Sequence, residues 1–269
     1  MSAPVVLISG ASSGLGRAAA THLARRGFRV IGGGRRFPKS ELPFETLRLD
    51  VCDEESVSRF VATALERAGR IDALVNCAGI SLSGAIEVMS NAEEQRIIDT
   101  NLLGTARLCR GVLPHLRAQR SGRVVNVSSI GGLIAFPFHT MYCASKFAVE
   151  GLTECLRFET RGFGIHVSLL EPGDFLTEMT EQYEWCDGAK GDGIYSEAMR
   201  RAIDVMQADC RSCSDLSPFS LRLESILRSR RPKLRYSVGL PIQRLATVLR
   251  HYMPDSWMEA ILRGIYRLG

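Results

Sequence analysis

Short, continuous runs of apolar residues alternate along this chain with longer stretches in which apolar residues follow a helical period. The continuous runs predict buried strands at residues 4–9, 28–33, 45–51, 72–79, 122–129 and 165–173, with a seventh candidate at 234–238. Helical spacing predicts helices at 16–27, 53–69, 91–118 and 140–161. Strands without apolar–polar alternation are buried on both faces, as in a parallel sheet covered by helices. The pattern therefore predicts an α/β fold, a doubly wound parallel sheet of about seven strands.

Two stretches depart from this alternation. Residues 174–230 contain helical patterns but no predicted strand, and an insertion at the carboxyl end of such a sheet is a typical substrate lid. Residues 241–266 predict two short amphipathic helices as a C-terminal extension. Asp255 is a candidate cap for the second of them. We predict a single domain over residues 1–269 that includes the lid and the extension.

Composition and charge narrow the class of protein. With 269 residues, 45% of them hydrophobic, the chain can bury one substantial core. The net charge of +5 is mild, and we expect no nucleic-acid partner. Residues 220–269 nevertheless carry ten Lys or Arg against three acids. This basic C-terminal segment is either an ordinary solvated surface or a peripheral contact with anionic lipid, and both interpretations stay open.

Targeting and redox signals point to a cytoplasmic protein. The N-terminal run MSAPVVLISG has no basic segment or cleavage site and is typical of a mature strand. No window approaches 18 uncharged apolar residues. The eight cysteines are scattered, and only Cys210 and Cys213 form a CxxC pair, without a second pair or a His cluster. We therefore predict free thiols and no metal site.

A glycine-rich loop follows the first strand. The sequence SGASSGLG places Gly10, Gly14 and Gly16 between that strand and the first helix. Glycines there let the backbone approach a pyrophosphate, whose charge the helix N-terminus stabilises. The predicted contacts of this dinucleotide loop include Ser12, Ser13 and Leu15 together with the three glycines.

The end of the second strand bears on which dinucleotide is bound. Gly34 stands where an NAD site offers an acid, and Arg35 and Arg36 follow it. Arginine meets a phosphate bidentately, so NADP(H) is favoured over NAD(H), although both arginines could be ordinary loop charges. Asp50, with Val51 beside it, is a candidate contact to the adenine or a cap for the following helix.

One helix carries a polar pair in apolar surroundings. Tyr142 and Lys146 lie four residues apart in TMYCASKFAVEGL, hence on one face of the predicted helix. A phenol with a pKa of about 10 is a poor base at neutral pH, but a neighbouring cation favours the phenolate. The sequence therefore predicts that Lys146 lowers the pKa of Tyr142, with an ordinary core tyrosine as the alternative.

Six spaced elements together resemble the short-chain dehydrogenase/reductase family, over about residues 4–180. They are SGASSGLG at 9–16, NCAG at 76–79, Asn101 in DTNLLG, Ser129 in VNVSS, YCASK at 142–146 and PGDFLT at 172–177. YCASKFAVEGL is most similar to the hydroxysteroid and retinol dehydrogenase side of the family. The resemblance implies a Rossmann-type fold and hydride transfer between a nicotinamide cofactor and a ketone, aldehyde or alcohol.

The resemblance also implies roles for individual residues. Tyr142 would be the general acid/base, Ser129 would donate to the substrate oxygen, and Lys146 would also bind the nicotinamide ribose. Asn101 would hold a water of a proton relay, or would only cap or break its helix. Further cofactor-binding positions implied by the family are Asn76, which braces the central strands, Ala78, Gly79, Pro172, Gly173 and Thr177. Thr177 is equally typical of a helix start.

The segments expected to line the substrate pocket are apolar. Phe136, Phe175, Met179 and Tyr183 are the candidate substrate contacts beside Ser129 and Tyr142. Aromatic and methionine side chains suit a hydrophobic steroid-, retinoid- or lipid-like substrate, although an amphipathic lid buries such a face in any case. The alternatives are a reductase of a small polar ketone and a non-catalytic dinucleotide sensor or scaffold. The family commonly pairs subunits, so a homodimer or homotetramer is expected.

Overall fold

A parallel sheet organises the molecule. The computed structural model describes residues 3–181, 183–191, 193–250 and 252–268. Within these ranges the strands are β1 (Val5–Ser9), β2 (Arg29–Gly34), β3 (Glu45–Arg48), β4 (Ala73–Asn76), β5 (Leu82–Ser83), β6 (Gly122–Val127), β7 (Ile165–Pro172), β8 (Glu184–Trp185) and β9 (Arg235–Val238). Seven of them form one sheet in the order β3-β2-β1-β4-β6-β7-β9, with every neighbouring pair parallel. The doubly wound fold and the seventh strand are thus as predicted.

Helices cover both faces of the sheet. They are α1 (Gly14–Arg25), α2 (Glu54–Ala68), α3 (Asn91–Ile98), α4 (Gly104–Gln119), α5 (Thr140–Thr160), α6 (Glu178–Glu181), α7 (Ser196–Arg211), α8 (Ser217–Arg228), α9 (Pro241–Leu249) and α10 (Asp255–Ile265). One core joins the sheet to α1 and α8, and a second joins its other face to α2, α4 and α5. Because every residue of β1 is buried, this strand needs the unbroken apolar run that the sequence shows.

Local sequence signals explain where elements begin and end. The Asp53 side chain accepts from the N–H of Glu55 and caps α2, and Gly69 ends that helix in the left-handed conformation at φ 73°. Asp50 therefore does not cap α2; its carboxylate accepts from the N–H of Cys52 instead. Asp255 is the first residue of α10 rather than its cap, and its carboxylate pairs with Arg250.

Two features differ from the predicted pattern. The helix predicted at 91–118 is interrupted by a π-helical turn at Asp99–Leu103, which separates α3 from α4. A π turn is a single-turn bulge inside an otherwise helical segment, so the predicted helical region persists on both sides of it. The prediction of no strand in 174–230 was wrong, because β8 pairs in parallel with β5. A strand of two residues is too short to show any period.

The lid forms a third core around the end of the sheet. Side chains of α7, including Met199, Ile203 and Met206, pack with Leu82 and Ile97. The lid is therefore a packed part of the fold, joined to β5 and α3.

The basic residues of the C-terminal segment do not share one surface. The chain at 229–234 precedes β9 and so lies at the amino edge of the sheet, where Arg123 donates to Ser229 O and Arg157 to Pro232 O. Helices α9 and α10 follow the opposite, carboxyl end of β9. In the part of the chain that the structure describes, no helix has both the length and the apolar character to cross a membrane.

Candidate active site

A large cleft lies at the carboxyl edge of the sheet, where β1, β4, β6 and β7 end. Its volume is about 940 Å³. Such an edge is where doubly wound sheets bind ligands. The predicted site residues on its wall are Gly10, Ser12, Ser13, Gly14, Leu15, Gly16, Arg35, Asp50, Val51, Ala78, Gly79, Ser129, Phe136, Tyr142, Lys146, Pro172, Gly173, Phe175, Thr177, Met179 and Tyr183. The fold brings these residues together from seven separate segments.

Three predicted site residues do not line the cleft. Arg36 is exposed outside it, whereas its neighbour Arg35 is on the wall. Asn76 is buried, and its Nδ2 donates to Asn126 Oδ1 at 2.8 Å. Asn126 in turn donates to Thr153 Oγ1 at 2.9 Å, so the network joins β4 and β6 to α5. Asn76 therefore braces the central strands, as the resemblance implies, without reaching the cleft.

Asn101 also lies behind the cleft wall. In the π turn its Nδ2 donates to Ile80 O and to Ser145 Oγ, both at 2.9 Å. Its Oδ1 accepts from the N–H of Ile80 at 2.8 Å. The side chain thus fastens the turn after β4 to α5, next to Lys146. The water-holding role implied by the family stays a prediction.

The glycine loop has the close contacts that its sequence requires. A side chain at Gly16 would place its Cβ 2.2 Å from Gly10 O, and Gly10 itself has φ 70°. Ser9 Oγ accepts from the N–H groups of Cys77 and Ala78 at 3.1 and 3.2 Å, which ties the loop to the turn after β4. The N-terminus of α1 therefore opens directly into the cleft.

An anion of the chain itself lies at this helix N-terminus. The Gly14 N–H donates to Glu178 Oε2 and the Arg17 guanidinium to Glu178 Oε1, both at 2.8 Å. Glu178 is the first residue of α6, which follows Thr177. The carboxylate shows that the loop accepts negative charge where the sequence predicts a diphosphate, so these residues fit a dinucleotide. The sequence alone carries no signal for a contact between residues 164 positions apart.

Tyr142 and Lys146 face the cleft from α5. Lys146 Nζ donates to Val127 O at 3.0 Å and lies 5.7 Å from the ring centroid of Tyr142. Burial lowers the pKa of Lys146 to about 8. Burial also raises the pKa of Tyr142 to about 12, with the Ser129 hydroxyl acting in the opposite direction. This direction is opposite to the lowering that the sequence predicts, because desolvation of the phenol is the largest influence on its pKa.

Ser129 leaves the end of β6 next to Tyr142. Its hydroxyl accepts from the N–H of Gly131 at 3.0 Å, which fixes its orientation. The same hydroxyl lowers the pKa of the Tyr142 phenol, and both side chains line the cleft. A carbonyl oxygen placed between them could accept from both.

The far half of the cleft is mostly apolar. The ring of Phe136 is 6.3 Å from that of Tyr142, and His139 lies edge-on to Tyr183 at 5.5 Å between centroids. Helix α10 and the residue after it add side chains that the sequence does not assign to the site, namely Leu262, Ile265 and Tyr266. The C-terminal extension therefore closes the cleft. The amphipathic pattern of α10 was visible in the sequence, but not the surface it covers.

Cysteine thiols and carboxylates also lie in and around the cleft. All eight cysteines are free thiols, as predicted; Cys210 is buried and Cys213 half-buried. In the described ranges, no three His, Cys, Asp or Glu side chains are placed to share a metal ion. Two carboxylates, of Asp174 and Asp209, lie on the wall of the apolar half.

The chain is similar to known proteins over most of its length. The family model of the short chain dehydrogenases matches residues 4–186. A 3-ketodihydrosphingosine reductase of Bacteroides thetaiotaomicron is 32% identical over 268 residues, covering 100% of both chains. Estradiol 17-beta-dehydrogenase 1 of Rattus norvegicus is 34% identical over 292 aligned positions, covering 99% of this chain and 83% of that protein.

Solved structures give the same result. A short-chain dehydrogenase from Streptomyces avermitilis is similar with a TM-score of 0.81 and 32% identity, covering 99% of this chain and 98% of that one. Its similarity extends through the lid and the C-terminal helices as well as the sheet. With the family model matched over most of the chain and relatives aligned almost end to end, the chain belongs to the short-chain dehydrogenase family of oxidoreductases.

Proposed function

We propose that this protein is an NADP(H)-dependent oxidoreductase that interconverts a hydrophobic ketone or aldehyde and the corresponding alcohol. The observation that carries the proposal is the position of Ser129, Tyr142 and Lys146. They lie where the glycine-loop half of the cleft meets its apolar half. A dinucleotide bound along the loop and a substrate in the apolar half would meet at these three side chains.

The chain's residues have distinct tasks in this reaction. The bound cofactor supplies or accepts a hydride at the nicotinamide carbon C4. Tyr142 holds its proton firmly at neutral pH, because its pKa is about 12, and donates it to the carbonyl oxygen as negative charge develops there. Ser129 donates to the same oxygen. Lys146 stabilises the phenolate that remains, and its low pKa lets it pass on a proton.

Mutation of Tyr142 tests the mechanism. Tyr142→Phe removes only the hydroxyl, so kcat for ketone reduction should fall by about 100- to 10,000-fold. The dissociation constant for NADPH, measured by its fluorescence on binding, should stay near the wild-type value. Turnover close to that of the wild type in this variant would rule out Tyr142 as the proton donor.

Arg35 supports the preference for NADP(H). It lies on the cleft wall after β2, where no acid is available to a ribose hydroxyl. Because a guanidinium–phosphate contact is a charge-assisted hydrogen bond, Arg35→Ala should weaken NADPH binding by about tenfold or more and NADH binding little. Arg36→Ala is the matched control, since Arg36 is outside the cleft, and should change NADPH binding less. Equal losses for both cofactors in Arg35→Ala would contradict the assignment.

The hydrophobic substrate class rests on the apolar half of the cleft. Phe136, Phe175 and Met206 line it together with side chains of α10. The names of two relatives, a 3-ketodihydrosphingosine reductase and an estradiol 17-beta-dehydrogenase, refer to lipid-type molecules and support the same class.

The substrate class is tested by NADPH oxidation against ketones that increase in size and hydrophobicity, with Tyr142→Phe as the blank. We expect turnover at the hydrophobic end of the series. Turnover confined to small polar ketones would favour the alternative substrate class. Tight NADPH binding without turnover of any ketone would favour a dinucleotide sensor.

A further inference from the structure

An imidazole with no task in the proposed reaction lies beside the catalytic phenol. His139 is buried in the cleft wall, three residues before Tyr142. Its ring is edge-on to that of Tyr142, with 6.2 Å between centroids and 80° between planes. It is also edge-on to Tyr183 of the lid, at 5.5 Å and 79°. Since aromatic pairs favour this geometry, the imidazole contacts one ring of the lid and one ring of the active site favourably.

The imidazole is neutral and held in one orientation. Burial lowers the pKa of His139 to about 4, so the ring carries no charge at neutral pH. Nδ1 lies 3.4 Å from Pro137 O, and Nε2 lies 3.1 Å from Ser83 Oγ. Because a carbonyl oxygen only accepts, Nδ1 carries the proton, and Nε2 accepts from the Ser83 hydroxyl. His139 is therefore not an acid or base of the reaction, and its hydrogen bonds set the direction of its ring.

Ser83 connects this ring to the base of the lid. It is the second residue of β5, and its register partner is Trp185 of β8. Ser83 O also accepts from the N–H of Cys186 at 3.0 Å. Ser83 is fully buried and is not a residue of the cleft wall. The position of β8 therefore reaches His139 through the Ser83 hydroxyl, in addition to the direct ring contact with Tyr183.

The backbone at His139 joins the same strand to the catalytic helix. The Gly84 N–H donates to Phe138 O at 2.8 Å, and Gly84 and His139 form a parallel bridge. Phe138 has φ 61°, a left-handed conformation that a bulky residue keeps only where the surrounding structure enforces it. His139 then precedes α5, and its carbonyl oxygen accepts from the N–H of Cys143 at 2.8 Å. The first turn of α5, which carries Tyr142, is thus joined to β5 through both backbone and side chain.

We propose that His139 is a positioning residue that holds the phenol of Tyr142 toward the substrate oxygen and couples this orientation to the position of the lid. The inference rests on the proposed function and adds to it a residue that acts through the proton donor. A phenol donates well only when its O–H points at the developing oxyanion, and a misplacement of about 1 Å can cost about a hundredfold in rate. His139 restricts the phenol because its own ring is fixed by β5 on one side and by Tyr183 on the other.

Ser83→Ala tests the hydrogen bond without changing the cleft wall. It leaves Nε2 of His139 without its donor, so kcat for reduction of a hydrophobic ketone should fall by about tenfold. The dissociation constant for NADPH should stay near the wild-type value. Ser196→Ala is the matched control, because that hydroxyl is also buried and donates to Gly191 O at 2.9 Å. It should lower the melting temperature and leave kcat unchanged. An unchanged kcat in Ser83→Ala, or an equal fall in both variants, would refute the proposal.

Two replacements of His139 separate positioning from the filling of space. His139→Gln retains an amide that can accept from Ser83, so it should keep a substantial part of kcat. His139→Leu fills the site without hydrogen bonds, and its kcat should fall by about a hundredfold. In Ser83→Ala, kcat and kcat/KM should fall together, because the lost contact acts through the transition state. Equal kcat values in His139→Gln and His139→Leu would contradict a positioning role.

Tyrosine NMR tests the positioning independently of turnover. The chain has six tyrosines, and Tyr142→Phe identifies the ring signal of Tyr142 in protein with isotope-labelled tyrosine. In the NADPH complex that signal should shift or broaden in Ser83→Ala and stay unchanged in Ser196→Ala. Ketone reduction by the wild type, with an unmoved Tyr142 signal in Ser83→Ala, would overturn the inference and leave the reductase intact. No reduction of any ketone, with the signal still displaced in Ser83→Ala, would overturn the reductase and retain the role of His139 in placing Tyr142.

Discussion

The carboxylate of Glu178 lies on the N-terminus of α1, where the peptide dipole favours any anion. It is half-exposed, as is its partner Arg17. A dinucleotide that places its diphosphate on the same N–H groups has to displace it. Because Glu178 begins α6, we expect this displacement to move the first turn of that helix and so to couple cofactor entry to the position of the lid.

Replacing this carboxylate should strengthen cofactor binding. In Glu178→Gln the competing charge is gone, so we expect the NADPH dissociation constant to fall by about two- to tenfold, the range of single charge effects at a helix end. Fluorescence titration measures it, with the exposed Glu181→Gln on the same helix as control. An unchanged or weaker affinity in Glu178→Gln would show that the carboxylate does not compete with the cofactor.

At the scale of elements, the two C-terminal helices have unusual surfaces. Their exposed large apolar side chains, with those of the connection between them, are Ile242, Leu245, Val248, Leu249, Tyr252, Trp257, Ile261 and Ile265. Of these, Ile242 and Ile265 also lie on the wall of the cleft, as does Leu262 of α10. Residues 241–268 carry four arginines against two acids. An apolar face with an aromatic residue and a basic excess suits the surface of an anionic bilayer.

We propose that α9 and α10 bind anionic membranes and receive the hydrophobic substrate there. The chain has two tryptophans, so Trp185→Phe leaves Trp257 as the reporter. Its fluorescence should shift to the blue with phosphatidylserine vesicles and much less with neutral phosphatidylcholine vesicles. Leu245→Ser in the same background should reduce the shift. No shift with either vesicle, or a dimer that buries Trp257 in solution, would contradict the proposal.

Subunit pairing would use another surface. Helix α5 exposes Phe147 and Phe158, the latter at 78%. The family commonly pairs its subunits through the helices that follow the fourth and fifth predicted strands. Helix α5 follows the fifth of these strands, at 122–129. The homodimer or homotetramer expected from the sequence stays a prediction, with coverage of the pairing surfaces by the C-terminal helices as the alternative.

At the scale of the whole molecule, a buried group of acids joins the catalytic helix to the edge of the sheet. Arg235 of β9 pairs with Glu150, Glu154 and Glu171. Glu150 lies one turn after Lys146 on α5. Burial, together with the charge of Glu171, raises the pKa of Glu150 to about 7. Arg235 thus meets three carboxylates, and burial makes Glu150 bind its proton more tightly in the folded than in the unfolded chain.

This difference predicts a pH-dependent gain of stability in Glu150→Gln. Protonation of Glu150 contributes to the stability of the wild type. This contribution is fully present below about pH 4.3, the usual pKa of a glutamate in an unfolded chain, and is lost as the pH rises through about 7. The variant, which mimics the protonated acid, should match the wild type near pH 4. Above pH 7 its free energy of unfolding should exceed that of the wild type by on the order of 3 kcal/mol.

Chemical denaturation across this pH range measures the effect. The control is Glu154→Gln, because Glu154 is more exposed and shares the same arginine. A difference between Glu150→Gln and the wild type that is constant with pH would mean that Glu150 does not titrate in this range. A loss of stability above pH 7 would mean that its ion pair with Arg235 outweighs the cost of burial.

Patterns among neighbouring residues were sufficient to predict much of this protein's fold and site. Such patterns include the strand and helix periods, the glycines of the loop and the spacing of Tyr142 and Lys146. The sequence by itself therefore determined the doubly wound sheet and most of the cleft wall. The range of α2 could be predicted closely, since Asp53 and Gly69 mark its ends. Family resemblance added Ser129 and Asn76, whose roles no local pattern specifies.

Only the tertiary structure decided the contacts between distant segments. The contact of Glu178 with Gly14, the bond of Gln243 to Asp174 and the closure of the cleft by α10 each join residues far apart in the chain. Burial then set the pKa values of Tyr142 and Lys146, in one case against the direction expected from sequence. Packing determines solvent access and charge proximity, and a one-dimensional pattern contains neither. The reaction class could thus be predicted from sequence, whereas the electrostatics of the cleft depend on the fold.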